Sequence, residues 1–212
     1  MHIPDGFLNA ATAATTYVVS VGGIGNAVRI ANKKLGEKHI PLMGILAAFI
    51  FAAQMLNFPV AGGTSGHMIG AALVAILLGP WAAVIIMSAV LIAQCLIFQD
   101  GGLLALGANI FNMGIVAGFG AYYIYKLLGS VLGNSSRGRL ASGFIAAWGS
   151  VVLSSSACAI ELAISGASPL GVVLPAMAGV HALIGIGEGL ITMAVVSVIM
   201  ASRVDLLGLQ RI

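Results

Sequence analysis

Residues 39–99 contain no aspartate, glutamate, lysine or arginine. The rest of the chain is almost as poor in charge, since its 212 residues include nine bases and six acids, or 7% charged residues. A soluble domain usually carries about 25%. With 60% apolar residues, so few charges cannot cover a water-exposed surface. The composition excludes a soluble globular fold, a disordered chain and a nucleic-acid-binding domain, and it indicates an all-α membrane protein.

Charge-free runs and helix breakers divide the chain into seven predicted transmembrane helices. A spanning helix needs about 20 mostly apolar residues, and clustered Gly and Pro mark a non-helical stretch at 57–66 and a tight turn at Gly79-Pro80. The final segment is expected to be broken or irregular before His181, because it contains Pro169, Pro175 and Gly179. The predicted helices cover residues 7–28, 40–57, 67–79, 81–98, 103–126, 140–165 and 171–201.

The bases predict how the helices are oriented. With seven crossings all nine bases fall on one side, which the positive-inside rule makes cytoplasmic; they are Arg29, Lys33, Lys34, Lys38, Lys126, Arg137, Arg139, Arg203 and Arg211. The N-terminus is then outside and the C-terminus cytoplasmic. We expect a single membrane domain with an N-terminal segment 1–8, a helical bundle 9–201 and a cytoplasmic tail 202–212.

The acids show the opposite distribution. Asp5, Asp100 and Glu161 fall at or near the outer face, and Glu188 falls in the outer half of the membrane. An outer mouth with acids and no bases attracts cations. Chance scatter or helix capping by these few acids is the alternative.

The second residue, His2, could help to chelate a metal ion. The chain has no recognisable signal peptide, and Met1 is expected to be retained. The terminal amine, the His2 amide nitrogen and the His2 imidazole then form two fused chelate rings. Such a nearly planar nitrogen set favours Ni(II) or Cu(II) over tetrahedral Zn(II), and a further imidazole could complete it. The alternative is that His2 belongs to a frayed tail.

Two further histidines and several buried polar residues are candidates for the same site. His67 ends a Gly-rich break, residues 60–66, and non-helical backbone at membrane depth persists only where it lines a cavity or is covered by protein. His181 is predicted near the same outer edge, as a third imidazole or a supporting group, although both histidines could equally be structural. Asn109 and Asn112 share one helix face, and could orient a ligand, bridge the N-terminal segment to the core or simply join helices.

A protease is a rival interpretation. Gly63-Thr64-Ser65-Gly66 has the form found in rhomboid-type intramembrane proteases, and His181 could be the base of a Ser65–His181 dyad. The rest of that pattern is missing, because the chain has no Trp-Arg pair before the first membrane hairpin and the glycine after His181 comes one position late.

Five blocks of sequence resemble the nickel and cobalt substrate-specificity components of energy-coupling-factor transporters, the NikM/CbiM family. They extend from the first residue to about residue 190. The blocks are Met1-His2-Ile3-Pro4-Asp5-Gly6-Phe7-Leu8, Ala61-Gly62-Gly63-Thr64-Ser65-Gly66-His67, Phe98-Gln99-Asp100-Gly101-Gly102-Leu103, Ala108-Asn109-Ile110-Phe111-Asn112-Met113-Gly114, and Gly179-Val180-His181-Ala182 through Gly187-Glu188.

The resemblance implies a specific metal site and a set of partners. It implies seven transmembrane helices and a metal held by the amine and amide of Met1 and His2, the His2 imidazole and His67. The residue pattern adds Ser65, Asn109, Asn112 and His181 as possible supporting residues. The resemblance also implies a membrane coupling protein, a pair of cytoplasmic ATPases and a small accessory membrane subunit in a prokaryotic plasma membrane. The chain has no Walker A motif, so ATP hydrolysis is expected in other subunits.

The predicted function is therefore high-affinity capture of Ni(II), or of Co(II), as a transported substrate, with no enzymatic activity and no organic cofactor. Nickel is preferred, because planar nitrogen ligation and the Irving–Williams order both favour it over cobalt. The alternative is a stand-alone divalent-cation permease without an ATPase.

Overall fold

Helices account for nearly all of the regular structure in the computed structural model, which describes residues 1–133, 135–203 and 206. The helices are α1 Ala10–Lys34, α2 Ile40–Gln54, α3 Ala71–Leu78, α4 Pro80–Phe98, α5 Leu106–Ile110, α6 Ala117–Leu132, α7 Ser136–Ile164 and α8 Leu170–Ser202. A 3-10 turn at Glu37–His39 precedes α2, and a π-helix at Phe111–Val116 joins α5 to α6. Two short antiparallel strands pair between α2 and α3, β1 Phe58–Pro59 and β2 Ser65–Gly66. Most of the predicted tail, 202–212, lies outside the described residues.

Four helical stretches of the described chain are long and apolar enough to cross a bilayer. They are Pro80–Phe98, Leu106–Leu132, Ser136–Ile164 and Leu170–Ser202. The 25-residue α1 is long enough but less apolar, the apolar α2 has 15 residues, and α3 has only eight. The structure is thus that of a helical membrane protein, and the count of seven crossings stays a prediction.

Several helix boundaries differ from those predicted. The first helix begins at Ala10, where the Asn9 side chain accepts a 2.8 Å hydrogen bond from the Thr12 amide, and it continues past residue 28 to Lys34. The helix predicted to end at residue 57 ends at Gln54. The stretch predicted as one helix over 103–126 begins at Leu106, contains the π-helix and extends to Leu132.

The helix expected to start at residue 67 starts later, at Ala71. Gly70 before it has a φ of +82°, a left-handed conformation that ends regular helical geometry and favours glycine. His67 consequently lies in non-helical backbone and not at a helix start. The predicted turn at Gly79-Pro80 is confirmed, because Gly79 has a φ of +88° and Pro80 is the first residue of α4, where the missing amide hydrogen costs nothing.

The expected break before His181 is wrong. The helix α8 continues without interruption from Leu170 to Ser202, with Pro169 as its N-cap residue and Pro175 inside it. Pro175 lies near the start of the helix and removes only the hydrogen bond to the carbonyl four residues earlier. The contact between α7 and α8 is the most extensive between any two elements, and this packing keeps the helix regular through both Pro175 and Gly179.

The first helix approaches α5 closely at one glycine. A Cβ atom on Gly107 would lie 2.7 Å from the backbone nitrogen and Cα of Tyr17. The Ser20 hydroxyl donates a 2.7 Å hydrogen bond to the Gly107 carbonyl. This contact holds α1 against α5.

We expect Gly107→Ala to lower the melting temperature of the detergent-solubilised protein. Overpacking of this kind costs about 1–3 kcal/mol, because backbone atoms cannot move aside as a flexible side chain can. Gly129→Ala in α6 is the control, since nothing lies within 4 Å of its added Cβ. Equal melting temperatures for the two variants would contradict the close approach of α1 and α5.

Candidate metal centre

The first three residues are inserted into the helical bundle. Met1 and Ile3 are fully buried and His2 is 4% exposed. A frayed tail is thereby excluded for His2. The N-terminal amine and the His2 side chain both lie in the protein interior.

The N-terminal amine lies against the Gly-rich segment between β1 and α3. It donates hydrogen bonds to the carbonyl oxygen of Ser65 and, at 2.8 Å, to the Ser65 Oγ. It is 2.7 Å from Nε2 of His67. The His2 amide also donates to the Ser65 Oγ, at 3.0 Å. Ser65 therefore holds two of the predicted donor nitrogens, the Met1 amine and the His2 amide, close to His67.

The imidazole of His67 presents one nitrogen to the amine. Its Nδ1 lies 2.7 Å from the carbonyl oxygen of Met68. A carbonyl can only accept, so Nδ1 carries the proton and donates it there. The lone pair is then on Nε2, the atom that faces the N-terminus, as a metal ligand requires.

The His2 ring lies beside the His67 ring and near an acidic residue. The two ring centroids are 4.6 Å apart, and the planes are tilted by 33°. His2 Nε2 is 3.8 Å from Oδ2 of Asp100 and has no hydrogen-bond partner among the described residues. Chelation together with the preceding amide uses Nδ1 of the ring, so Nε2 is the nitrogen left to face Asp100.

The separation of amine and imidazole matches neighbouring ligands of a planar site. Two nitrogens bonded at right angles to one ion, each at about 2 Å, lie about 2.8 Å apart. The observed distance between the Met1 amine and His67 Nε2 is 2.7 Å. Within the described part of the chain, no group of three His, Cys, Asp or Glu side chains could hold a metal ion. A metal here would therefore depend on main-chain nitrogens.

Burial also favours the uncharged forms of the N-terminal amine and the His2 imidazole. It lowers the pKa of the Met1 amine to about 5 and that of His2 to about 3, because an apolar environment disfavours the charged form. In their uncharged forms both groups carry the lone pairs that metal coordination needs.

Asn109 ties the N-terminal segment to the core. It accepts a 2.8 Å hydrogen bond from the Ile3 amide through Oδ1 and donates from Nδ2 to the Ile3 carbonyl at 3.2 Å. The same carbonyl accepts a 2.9 Å bond from the Gly102 amide. This paired contact fixes the backbone directly after His2, so the structure brings Asn109 to the site.

The α4–α5 loop, residues 99–105, covers the segment from the other side, a contact that the sequence interpretation missed. The Asp5 carboxylate accepts hydrogen bonds from the amides of Leu103 and Leu104, at 3.2 and 2.7 Å. A Cβ on Gly102 would lie 2.1 Å from an Asp5 oxygen, so only glycine fits there. The available signal was the pair of adjacent glycines after Asp100.

Two other predicted supporting residues form no described hydrogen bond with Met1, His2 or His67. Asn112 donates a 2.6 Å hydrogen bond to the Glu161 carboxylate, joining the π-helix to α7. His181 is fully buried, and its Nδ1 is 2.8 Å from the Met177 carbonyl. His181 Nε2 has no hydrogen-bond partner among the described residues.

The Ser65–His181 dyad of a protease is not assembled. The Ser65 hydroxyl contacts the N-terminal amine and the His2 amide, and no described hydrogen bond joins it to His181. A nucleophile needs its base within hydrogen-bond reach, so the geometry gives the rhomboid interpretation no support.

We expect Asn109→Ala to expose the N-terminal amine to chemical acylation. The variant loses the two hydrogen bonds that Asn109 makes with Ile3, so the buried segment should leave the bundle more often. The measurement is the rate at which an amine-reactive ester modifies Met1, followed by mass spectrometry. Asn26→Ala, at an exposed position of α1, is the control and should acylate at the wild-type rate. An unchanged rate for Asn109→Ala would show that this tether does not hold the segment.

The chain is similar to known proteins of one family. Residues 2–206 match the family model described as cobalt uptake substrate-specific transmembrane region, CbiM. A putative fused nickel transport protein NikMN of Archaeoglobus fulgidus is 46% identical over 98% of this chain and 68% of its own length. The cobalt transport protein CbiM of Thermosediminibacter oceani is 30% identical over 94% of this chain and 84% of its own length.

A solved structure has the same fold. The crystal structure of a truncated transition metal transporter superposes with a TM-score of 0.88 at 38% identity, covering 95% of this chain and 99% of the other. Both named relatives are described as metal transport proteins. The full-length family match and the shared fold establish that this chain belongs to the CbiM family of cobalt uptake substrate-specific transmembrane proteins.

Proposed function

We propose that this protein captures Ni(II) or Co(II) outside the membrane as the substrate-binding component of an energy-coupling-factor transporter. The observation that carries the proposal is the buried N-terminal amine, 2.7 Å from Nε2 of His67. An amine buried without a partner ion is costly. Here it lies beside the nitrogen that would be its neighbour in a planar metal site.

The ligands of this site are four nitrogens. Met1 contributes its amine, His2 contributes its amide and imidazole, and His67 contributes Nε2. The amide would lose its proton on binding the metal, because the lone pair of a protonated amide nitrogen is delocalised into its carbonyl. Planar nitrogen ligation favours Ni(II) over Co(II) and is also suited to Cu(II), so the availability of each metal contributes to selectivity.

The site lies at the outer end of a bundle with seven crossings. Lys34 and Lys126 line one groove of about 310 Å³ at the base-rich end, while Asp100 lies beside His2. This separation of charge supports an N-terminus outside and a cytoplasmic C-terminus in a prokaryotic plasma membrane. The eight residues of α3 span only about 12 Å, and the extended backbone before it supplies the rest of that crossing.

The proposed partners are a membrane coupling protein, a pair of cytoplasmic ATPases and a small accessory membrane subunit. The chain contains no Walker A sequence, which is consistent with hydrolysis in separate subunits. A stand-alone permease is the other candidate. Copurification of an ATPase with the C-terminally tagged protein supports the transporter, whereas nickel uptake by the chain alone in proteoliposomes supports the permease.

We expect an extension of one residue before Met1 to abolish tight nickel binding. The extension converts the amine into an amide, so one donor is lost. The added residue must also fit where Met1 is fully buried. The measurement is titration calorimetry with Ni(II) on detergent-solubilised protein, with circular dichroism to show that helicity is retained.

The control for the extension is a tag at the C-terminus. It lies at the opposite end of the proposed topology and should leave the nickel affinity unchanged. Wild-type nickel affinity in the extended protein would rule out the proposed metal site.

We expect His67→Ala to weaken nickel binding by more than about 100-fold, beyond the loss typical of residues around a ligand. It removes the one donor that the N-terminal residues do not supply. His39→Ala is the matched control: this buried histidine contacts Gly36 in the 3-10 turn and should bind nickel as the wild type does. Equal affinities for the two variants would contradict the assignment of His67.

A further inference from the structure

We propose that Glu188 is a positioning residue for His67 and acts on its imidazole through the peptide bond between Met68 and Ile69. This inference rests on the proposed function, because it concerns how the fourth ligand is held for the metal. Glu188 lies on α8, 1% exposed, in the part of the bundle that packs against the non-helical segment.

Both carboxylate oxygens of Glu188 bind the backbone that follows His67. Oε2 accepts a 2.6 Å hydrogen bond from the Ile69 amide, and Oε1 accepts a 2.9 Å bond from the Gly70 amide. Hydrogen bonds to a carboxylate are roughly twice as strong as those between neutral groups. Two such bonds to successive amides fix the backbone of Ile69 and Gly70, directly before α3.

The first of these bonds reaches His67 through a single peptide unit. The Ile69 amide belongs to the same planar group as the Met68 carbonyl, and planarity makes the two point in opposite directions. That carbonyl accepts the Nδ1 proton of His67 at 2.7 Å. Holding the amide hydrogen on Glu188 therefore fixes the carbonyl, and the carbonyl fixes the imidazole.

The arrangement extends a principle seen at many metal sites. A ligating histidine usually donates its second ring nitrogen to a carboxylate or a carbonyl, which sets the tautomer and raises the basicity of the ligand. Here His67 donates to a carbonyl whose own peptide is bonded to a carboxylate. Consecutive hydrogen bonds polarise one another in a low dielectric, so the charge of Glu188 strengthens the lone pair on Nε2.

The Ile69 carbonyl in this segment has a hydrogen-bond partner of its own. Nε2 of Gln54 on α2 donates a 2.7 Å bond to the Ile69 carbonyl. Side chains thus replace the helical hydrogen bonds that this backbone lacks at membrane depth. Gln54 bonds the peptide between Ile69 and Gly70. Glu188 bonds that peptide through the Gly70 amide and also bonds the preceding one, whose carbonyl contacts His67.

Glu161 provides a matched comparison. It is also a buried glutamate within a long apolar helix, 7% exposed. Its hydrogen bond goes to the Asn112 side chain at 2.6 Å and not to the segment that carries His67. Neutralising Glu161 removes the same charge from the bundle without touching the ligand.

The test compares Glu188→Gln with Glu161→Gln in the full chain with its native N-terminus and a C-terminal tag. Ni(II) is the probe, measured by calorimetry and by the absorption of the bound ion. We expect Glu188→Gln to lower the nickel affinity by about 10–100-fold, with unchanged stoichiometry and a shifted absorption band. Glu161→Gln should stay within about twofold of the wild type.

A second pair of variants separates positioning from a general structural effect. If Glu188 acts through His67, then adding Glu188→Gln to His67→Ala should change metal affinity by less than about twofold. Cu(II) is the probe in that background, because it binds nitrogen ligands more tightly than Ni(II) does. Where Glu188→Gln yields no folded protein, Glu188→Asp, whose carboxylate is one methylene short, is measured in its place.

Two results would overturn the inference. One is a Glu188 variant with the nickel affinity and absorption of the wild type. The other is an equal loss of affinity in the presence and absence of the His67 imidazole. Failure of the wild-type protein to bind nickel would instead overturn the proposed function on which the positioning role rests.

Discussion

The contact between the N-terminal amine and the Ser65–His67 segment is the interaction on which the site depends. It brings a main-chain amine, and the amide after it, beside an imidazole that is distant in sequence. Both partners need unusual support, because a chain terminus and non-helical backbone are expensive to bury. Buried polar side chains around the two segments provide that support.

The support comes from different elements on the two sides of the contact. The Asn109 side chain and the Gly102 amide of the α4–α5 loop bond Ile3, the residue after His2. The Gln54 and Glu188 side chains bond the backbone after His67. Each of these side chains replaces hydrogen bonds that a helix or water would otherwise supply. Asn109, Gln54 and Glu188 therefore bond irregular backbone on either side of the contact and keep the N-terminal amine and the His67 imidazole in place.

Sequence reasoning succeeded where a local property decides the structure. The Gly79-Pro80 turn follows from backbone restrictions on two residues, whereas the chelate at His2, inferred from the covalent spacing of its nitrogens, stays a prediction. The reasoning failed for α8, where three helix-disfavouring residues predicted a break. Packing along α7 outweighs the loss of one hydrogen bond at Pro175, and that energy depends on a partner helix. The start of α3 was misplaced for a similar reason, since Gly70 can be recognised as left-handed only once the path of the segment is known.

The sequence by itself determined the class of protein, the approximate helices, and the candidacy of Met1, His2 and His67. Charge scarcity and chelate geometry need no knowledge of neighbours. Only the tertiary structure decided that the N-terminus is buried, that Asn109 tethers it while Asn112 pairs with Glu161, and that Glu188 bonds the backbone beside His67. These contacts join residues tens to more than a hundred positions apart, and their identity depends on which helix faces pack together, a property that no local sequence pattern encodes.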